Sequence, residues 1–126
     1  MHIVTTPDRE VLQGLQEILT RMGIVVYDRR SIQQLIDEVE AACPELRQVD
    51  KLRAHKALRA LGAALAAARN HLAASQALEE AENHLKRAGK YGKQLHDEIQ
   101  PLYSEACESW KTWRLAHRDY LDAAFS

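Results

Sequence analysis

The longest amphipathic pattern in the chain covers residues 93–124, KQLHDEIQPLYSEACESWKTWRLAHRDYLDAA. One face of the helix that this stretch predicts collects its apolar and aromatic side chains. These are Leu95, Ile99, Leu102, Tyr103, Ala106, Trp110, Trp113, His117, Tyr120, Leu121 and Ala124. A helix with such a face must bury it against other helices, so the stretch indicates an all-helical fold. Pro101 interrupts the run, and we expect either a kink there or the start of a new helix. Residues 89–92, GKYG, predict a loop before it.

A second long region without proline spans residues 45–89. Its apolar positions form two sets, one within residues 46–72 and one within residues 78–85, that are out of phase with each other. One straight helix could not keep both sets on one face. We therefore expect a break near residues 73–75, with Ser75 capping a second helix and the two helices forming a hairpin. The alternative is one long helix whose packing partner changes along its length.

Two shorter amphipathic helices are predicted upstream, over residues 7–22 and residues 31–43. Gly23 is typical of the residue that ends a helix. The second helix begins with a Ser-x-x-Gln capping box, and Pro44 should end it because the residue before a proline avoids the helical region.

Two short β-prone runs flank the first helix, at residues 3–4 (IV) and residues 24–27 (IVVY). They could pair as a small parallel β-α-β element, although two strands alone are only marginally stable. An extended linker is the alternative for the second run.

Composition agrees with a helical fold. The chain has 126 residues, of which 46% are hydrophobic and 28% charged, with five glycines and three prolines. This is enough chain to bury one core. We therefore predict a mainly α protein, with four to five amphipathic helices in a bundle or irregular α-helical array. The whole chain, residues 1–126, forms a single α-helical domain in this interpretation, with the β-α-β element as a minor addition.

The expected location is the cytoplasm. The formal net charge of −1 gives no overall attraction to nucleic acid or to anionic membranes. Cys43 and Cys107 have no metal-binding or redox spacing, and residues 1–9 contain no apolar run of the secretory kind. The most apolar window, residues 57–68, is too short to cross a bilayer. We expect no membrane partner.

No motif for catalysis, for a metal or for a cofactor is recognisable. The six histidines include no repeated Glu-x-x-His set of the kind that binds metals in helical bundles, and we expect them on the solvated surface. Glycine-rich phosphate-binding motifs and a nucleophile elbow are also missing from the sequence. We therefore predict a protein that is not an enzyme and needs no metal or cofactor. A small hydrolase or metal protein is a minor alternative.

The aromatic face of the C-terminal helix offers the main functional hypothesis. Such a face is usually core, but Trp and Tyr also dominate protein-binding hot spots. We take Trp110, Trp113, Leu115 and Tyr120 as candidate protein-binding residues. The predicted function is a non-enzymatic protein–protein interaction module: a small adaptor, accessory factor or inhibitor that docks on a larger protein or complex. A homodimer is a further option, because the small side chains of residues 57–68 allow close helix contact.

The alternative function is nucleic-acid binding through a basic helical hairpin. If the hairpin brings its two basic segments together, they form a patch suited to phosphates. The candidate residues are Arg53, Arg59, Lys86, Arg87, Lys90 and Lys93.

Overall fold

The computed structural model describes residues 6–26 and 30–125, with the backbone alone for residues 51–53. Their elements, in chain order, are α1 (Thr6–Arg21), α2 (Ile32–Ala42), a short 3-10 helix (Pro44–Arg47), α3 (Val49–Ala54), α4 (Lys56–Arg87) and α5 (Gly92–Phe125). The fold is thus an all-α bundle, as the sequence predicts.

The two long helices, α4 and α5, pack against each other as one hairpin. The expected break at residues 73–75 is wrong, since α4 continues through them without interruption. Alanine has the highest helix propensity, and Ser75 uses its hydroxyl for a tertiary hydrogen bond instead of a cap. The apolar pattern changes phase because the partner changes. Up to Ser75, α4 has buried side chains, and beyond it none is buried.

Glycines end α1 and α4 in the same way. Gly23 and Gly89 both have φ near +82°, in the left-handed region that a glycine enters without a steric penalty. In each case the next residue donates its N–H to a carbonyl five positions earlier, at 3.0 Å. This is the Schellman motif, and it satisfies carbonyls that a helix end would leave without donors. At the other predicted interruption, α5 runs through Pro101, whose side chain is exposed.

The described residues between α1 and α2, 22–26 and 30–31, contain no strand. Residues 24–26 belong to no helix or strand, and no strand occurs in residues 6–26 or 30–125. The expected β-α-β element is therefore not supported, because its second run has no pairing partner among these residues. Residues 3–4 lie outside the described residues. The capping box of α2 is confirmed: Ser31 accepts from the Gln34 N–H, and Gln34 accepts from the Ser31 N–H.

The first helix, α1, lies against both helices of the hairpin. Asp8 contacts α4, whereas Glu10 contacts α5 through Trp110. At its other end, the Arg21 guanidinium lies 4.3 Å from the centre of the Phe125 ring. α1 therefore runs parallel to α5. α2 packs on α1 and α4, and Ile32, Leu35, Ile36 and Val39 complete the core.

The hairpin is longer than the part that α1 and α2 cover. We call residues 76–109 the arm, and none of its side chains is buried. The part of α4 within the arm, residues 76–87, is roughly 18 Å long at a rise of 1.5 Å per residue. The arm is held together by a seam of half-buried apolar side chains: Leu78, Leu85, Leu95, Ile99 and Leu102. The body, in contrast, holds every fully buried residue among the described ones.

One close approach fixes the spacing of α1 and α5. Gly14 faces the Trp113 indole, and a Cβ added to Gly14 would lie 2.6 Å from Trp113 Cζ2. It would also lie 3.2 Å from Cε1 of His117. In an exposed helix, Gly→Ala gains about 1 kcal/mol. Here we expect Gly14→Ala to lower the free energy of unfolding by about 1–3 kcal/mol instead, because Trp113 must move.

Urea unfolding of Gly14→Ala measures this effect, and Gln13→Ala is the matched control because it changes the exposed neighbour. The control should change stability by no more than about 0.5 kcal/mol. A stabilised Gly14→Ala variant would contradict the close approach.

Candidate functional site

A chain of polar side chains lies buried between α1, α4 and α5. Asp8 is 0% exposed and His71 is 1% exposed. Nε2 of His71 lies 2.6 Å from Oδ1 of Asp8, and the Ser75 hydroxyl donates to Oδ2 of Asp8 at 3.1 Å. On the other side of the ring, Nδ1 of His71 lies 3.3 Å from Oγ of Ser109. These contacts connect three helices through one hydrogen-bonded cluster.

Both nitrogens of the His71 ring lie within hydrogen-bond distance of a side-chain oxygen. Ser109 donates its hydroxyl to the Ala106 carbonyl at 2.8 Å, so its oxygen is left to accept from the ring. The other ring nitrogen, Nε2, lies against the Asp8 side chain. Each buried polar atom of the ring has a partner, which offsets the cost of removing it from water.

The contacts from Asp8 to His71 and from His71 to Ser109 follow the same sequence of residue types as the Asp–His–Ser triad of acyl-transfer enzymes. Such enzymes need N–H donors that stabilise a developing oxyanion. Ser109 lies in the interior of α5 and His71 in the interior of α4, where backbone N–H groups bond to carbonyls one turn earlier. At this cluster, the backbone N–H groups of α4 and α5 are therefore used within their own helices. We interpret the cluster as a link that fixes α1 on the hairpin.

The expectation of solvated histidines is wrong for His71. A signal was present in the sequence, since His71 lies three residues after Ala68 and four before Ser75, on the buried face of α4. Its partner could not be found in this way, because Asp8 is 63 positions away in the chain.

Two of the four predicted protein-binding residues belong to the core. Trp113 is 1% exposed and Tyr120 is 6% exposed, so their side chains pack against α1 and its neighbours. Trp110 is half-buried, and its indole N–H donates to Glu10 at 3.1 Å. Arg114 pairs with the same carboxylate and lies over the Trp110 ring. Trp110, Trp113 and Tyr120 therefore make their contacts with other residues of the same chain.

Leu115 is the predicted residue that remains available, with 60% of its surface exposed. It lines a groove of about 500 Å³ between the first half of α4 and the second half of α5. The groove floor consists of small side chains, including Ala60, Ala63 and Ala116. Charged residues form its margins, with Lys56 and Arg59 on α4 and Asp119 on α5.

A second depression, of about 480 Å³, lies further along the same two helices. Its lining residues are Asn70, Ala73, Ala74, Ala77, Glu105 and Ser109. The lining residues of the groove and the depression are spaced three or four positions apart, or at multiples of this spacing, along each helix. This spacing keeps them on one face of α4, from residue 56 to residue 77, and on one face of α5, from residue 105 to residue 119. They therefore belong to one surface, which we call the open face of the hairpin.

The two basic segments predicted for nucleic-acid binding do not come together. Because α4 is continuous, Arg59 and Lys86 are 27 residues apart, or roughly 40 Å along one helix. At the tip of the arm, Lys86 pairs with Glu82 and Lys90 pairs with Glu98, each at 2.8 Å. The other tip cations are Arg87 and Lys93, both exposed. The side chain of Arg53 lies outside the described residues.

In the described part of the chain, no three His, Cys, Asp or Glu side chains converge on a position that could hold a metal ion. Over the same residues, no helix combines the length and the apolarity that crossing a bilayer requires.

Comparison of the chain with known protein families, with curated proteins and with solved structures finds no match.

The buried cluster predicts a large effect of a small substitution. Asp8→Asn keeps the size of the side chain but removes the anion that faces His71. We expect the free energy of unfolding to fall by about 1–3 kcal/mol, because the substitution leaves a buried hydrogen-bonding group without its native partner. Chemical denaturation measures it. Glu17→Gln breaks the exposed ion pair with Arg21 and should cost less than about 1 kcal/mol. Equal losses in the two variants would contradict the role of the cluster.

His117 gives the structure a pH dependence. Its ring stacks on Trp113 with centroids 5.0 Å apart, and Nε2 is buried without a hydrogen-bond partner among the described residues. Burial lowers the pKa of His117, against the opposing effect of Glu17 and Glu10. The unfolded chain therefore takes up this proton more readily than the folded chain. The contribution to stability is complete above the unfolded value of about pH 6.5 and decreases as the pH falls towards the folded pKa.

We expect the stability of the wild type to fall more steeply than that of His117→Gln as the pH falls from about 7.5 to about 5.5. Urea unfolding at several pH values measures the two slopes. His84→Gln, which changes an exposed histidine, serves as the matched control. Parallel slopes for wild type and His117→Gln would show that the proton does not couple to folding at this ring.

Proposed function

We propose that this protein is a non-enzymatic protein-interaction module, a small adaptor, accessory factor or inhibitor that docks on a larger protein or complex through the α4–α5 hairpin. The observation that carries the proposal is that the hairpin is longer than the surface that α1 and α2 cover. Helices that present an unpartnered face are a common means of binding proteins, through side chains one turn apart.

Two exposed apolar side chains on α5 support the proposal. Leu115 lies on the open face with 60% of its surface exposed, and Tyr103 lies on the arm with 53% exposed. Tyrosine is among the residues that contribute most to protein interfaces. Both positions belong to one rigid helix, so a partner could engage them without a change in the fold.

We propose further that the protein acts in the cytoplasm without a metal or cofactor. The buried cluster of Asp8 and His71 supports a non-enzymatic role, because its hydrogen bonds are used to hold helices together. The two cysteines, Cys43 and Cys107, are both free thiols, which a reducing compartment would preserve.

A protein partner is favoured over a nucleic acid by the charges of the arm. Two of the four tip cations are neutralised by carboxylates of the arm itself, and Arg59 lies far from the tip. Phosphate binding depends on several cations that act together, which this distribution weakens.

The test is a pull-down from native lysate with the tagged full-length chain, with and without nuclease. We expect a protein partner that survives nuclease. A double variant, Leu115→Ser with Tyr103→Ser, removes both exposed side chains from the hairpin. We expect it to recover at least about tenfold less of the partner protein, as expected for a binding hot spot.

The matched control is Val25→Ser, which removes a side chain of 72% exposure on the α1–α2 connection. Recovery with this variant should equal the wild type. A partner that is lost on nuclease treatment would favour the nucleic-acid alternative, and equal recovery in all variants would remove the hairpin as the docking element.

A further inference from the structure

The open face carries opposite charges on its two helices. On the α4 side, its charged residues are Lys56 and Arg59, and α4 contains no carboxylate from residue 56 to residue 78. On the α5 side, they are Glu105 and Asp119. None of these four exposed side chains forms an ion pair with another described residue of the chain. At the groove, the open face is therefore basic on α4 and acidic on α5, and at the depression its one charged lining residue is Glu105.

This pattern is complementary to itself. Rotation of a second copy by 180° about an axis parallel to the hairpin, in the plane of the open face, sets each α4 over the α5 of the other copy. Lys56 and Arg59 of each copy then face Asp119 of the other, Glu105 lies at the level of Asn70, and corresponding ends of the two hairpins coincide. A twofold interface of this kind uses the same patch on both chains, which is the commonest arrangement of homo-oligomers.

We propose that the open face binds a second copy of this chain, so that the two hairpins form a four-helix layer with α1 and α2 on its outer sides. The proposal rests on the proposed function, because it names the first partner of the same hairpin. In the assembled pair, Arg59 of each copy lies against Asp119 of the other. The outer part of each arm, residues 78–104 with the exposed Tyr103, stays available for a larger partner, whereas Leu115 lies between the two copies.

The shape of the face fits this partner. Leu115 projects from α5, whereas the facing positions of α4 are the small residues Ala60 and Ala63. In the twofold arrangement, the leucine of each copy lies over the alanines of the other, as a knob in a hole. The linings run from residue 56 to residue 77 of α4, which is roughly 33 Å of helix. Small side chains along this length allow two helices to approach closely.

Other occupants fit the charges less well. A nucleic acid or an anionic bilayer would bring phosphates towards Glu105 and Asp119, which would repel them. A purely acidic or purely basic protein helix would satisfy one edge and oppose the other. A second copy presents both signs at the groove, where Lys56 and Arg59 lie beside Asp119.

The test measures the mass of the full chain in solution by analytical ultracentrifugation, at concentrations up to about 100 µM. One chain has a mass of 14.3 kDa. We expect the wild type to reach twice this mass. Arg59→Glu and Asp119→Arg should each weaken the dimer by at least about tenfold, because each places like charges in contact. Circular dichroism before each run verifies that the variants are folded.

Mixing the two variants provides the decisive measurement. In a mixed dimer, Glu at position 59 of one chain meets Arg at position 119 of the other, and the second contact keeps its native Arg59 and Asp119. The mixture should therefore regain the wild-type dimer, although each variant alone is monomeric. Leu115→Glu places a buried charge in both halves of the interface, and no mixing partner here should rescue it.

A wild type that stays monomeric over the whole concentration range would overturn the proposal, and so would dimeric charge variants or a mixture without recovery. These outcomes are separable from failure of the proposed function. A monomer that still captures a lysate protein through the hairpin removes only the second copy as partner, whereas a dimer that captures nothing removes only the larger partner.

Discussion

The hydrogen-bonded pair of Asp8 and His71 is the contact on which the rest of the structure depends. A carboxylate with no exposed surface is costly unless it is paired, so α1 can be buried only where His71 and Ser75 receive it. That position sets the direction of α1 between the two long helices. Gly14 then meets Trp113 without space for a side chain, and Glu10 meets the indole N–H of Trp110. The buried hydrogen bonds of Asp8 and the close contact of Gly14 with Trp113 therefore require the same position of α1 on the hairpin.

Once α1 is fixed, the hairpin is divided into surfaces with different environments. One face of its body half is covered by α1 and α2, and this is where all of the fully buried side chains lie. The opposite face has small side chains and unpaired charges, and the arm has a seam without a buried layer. The two long helices have 32 and 34 residues, but the residues of the arm contribute no buried side chain to the core.

Local signals predicted the helix ends well, whereas signals that depend on distant contacts did not. Glycine at position 23, the capping box at Ser31 and Pro44 each act through the adjacent backbone, so the sequence alone was sufficient. The phase change after Leu72 was read as a break in α4, but it reflects the loss of α1 as a neighbour. His71 was expected in solvent because the carboxylate that justifies its burial belongs to the first turn of α1. The aromatic face could be recognised, yet its division into buried Trp113 and exposed Leu115 required the position of α1.

The hydrogen bond between Glu10 and Trp110 joins residues 100 positions apart, and this separation has a consequence during synthesis. A ribosome adds about 5–20 residues per second, so the indole appears roughly 5–20 seconds after the carboxylate that receives it. For that interval, the apolar sides of α1 and α2 have no hairpin to cover them. A nascent chain in this state presents the kind of surface that chaperones bind, and release would have to wait for nearly the whole of α5.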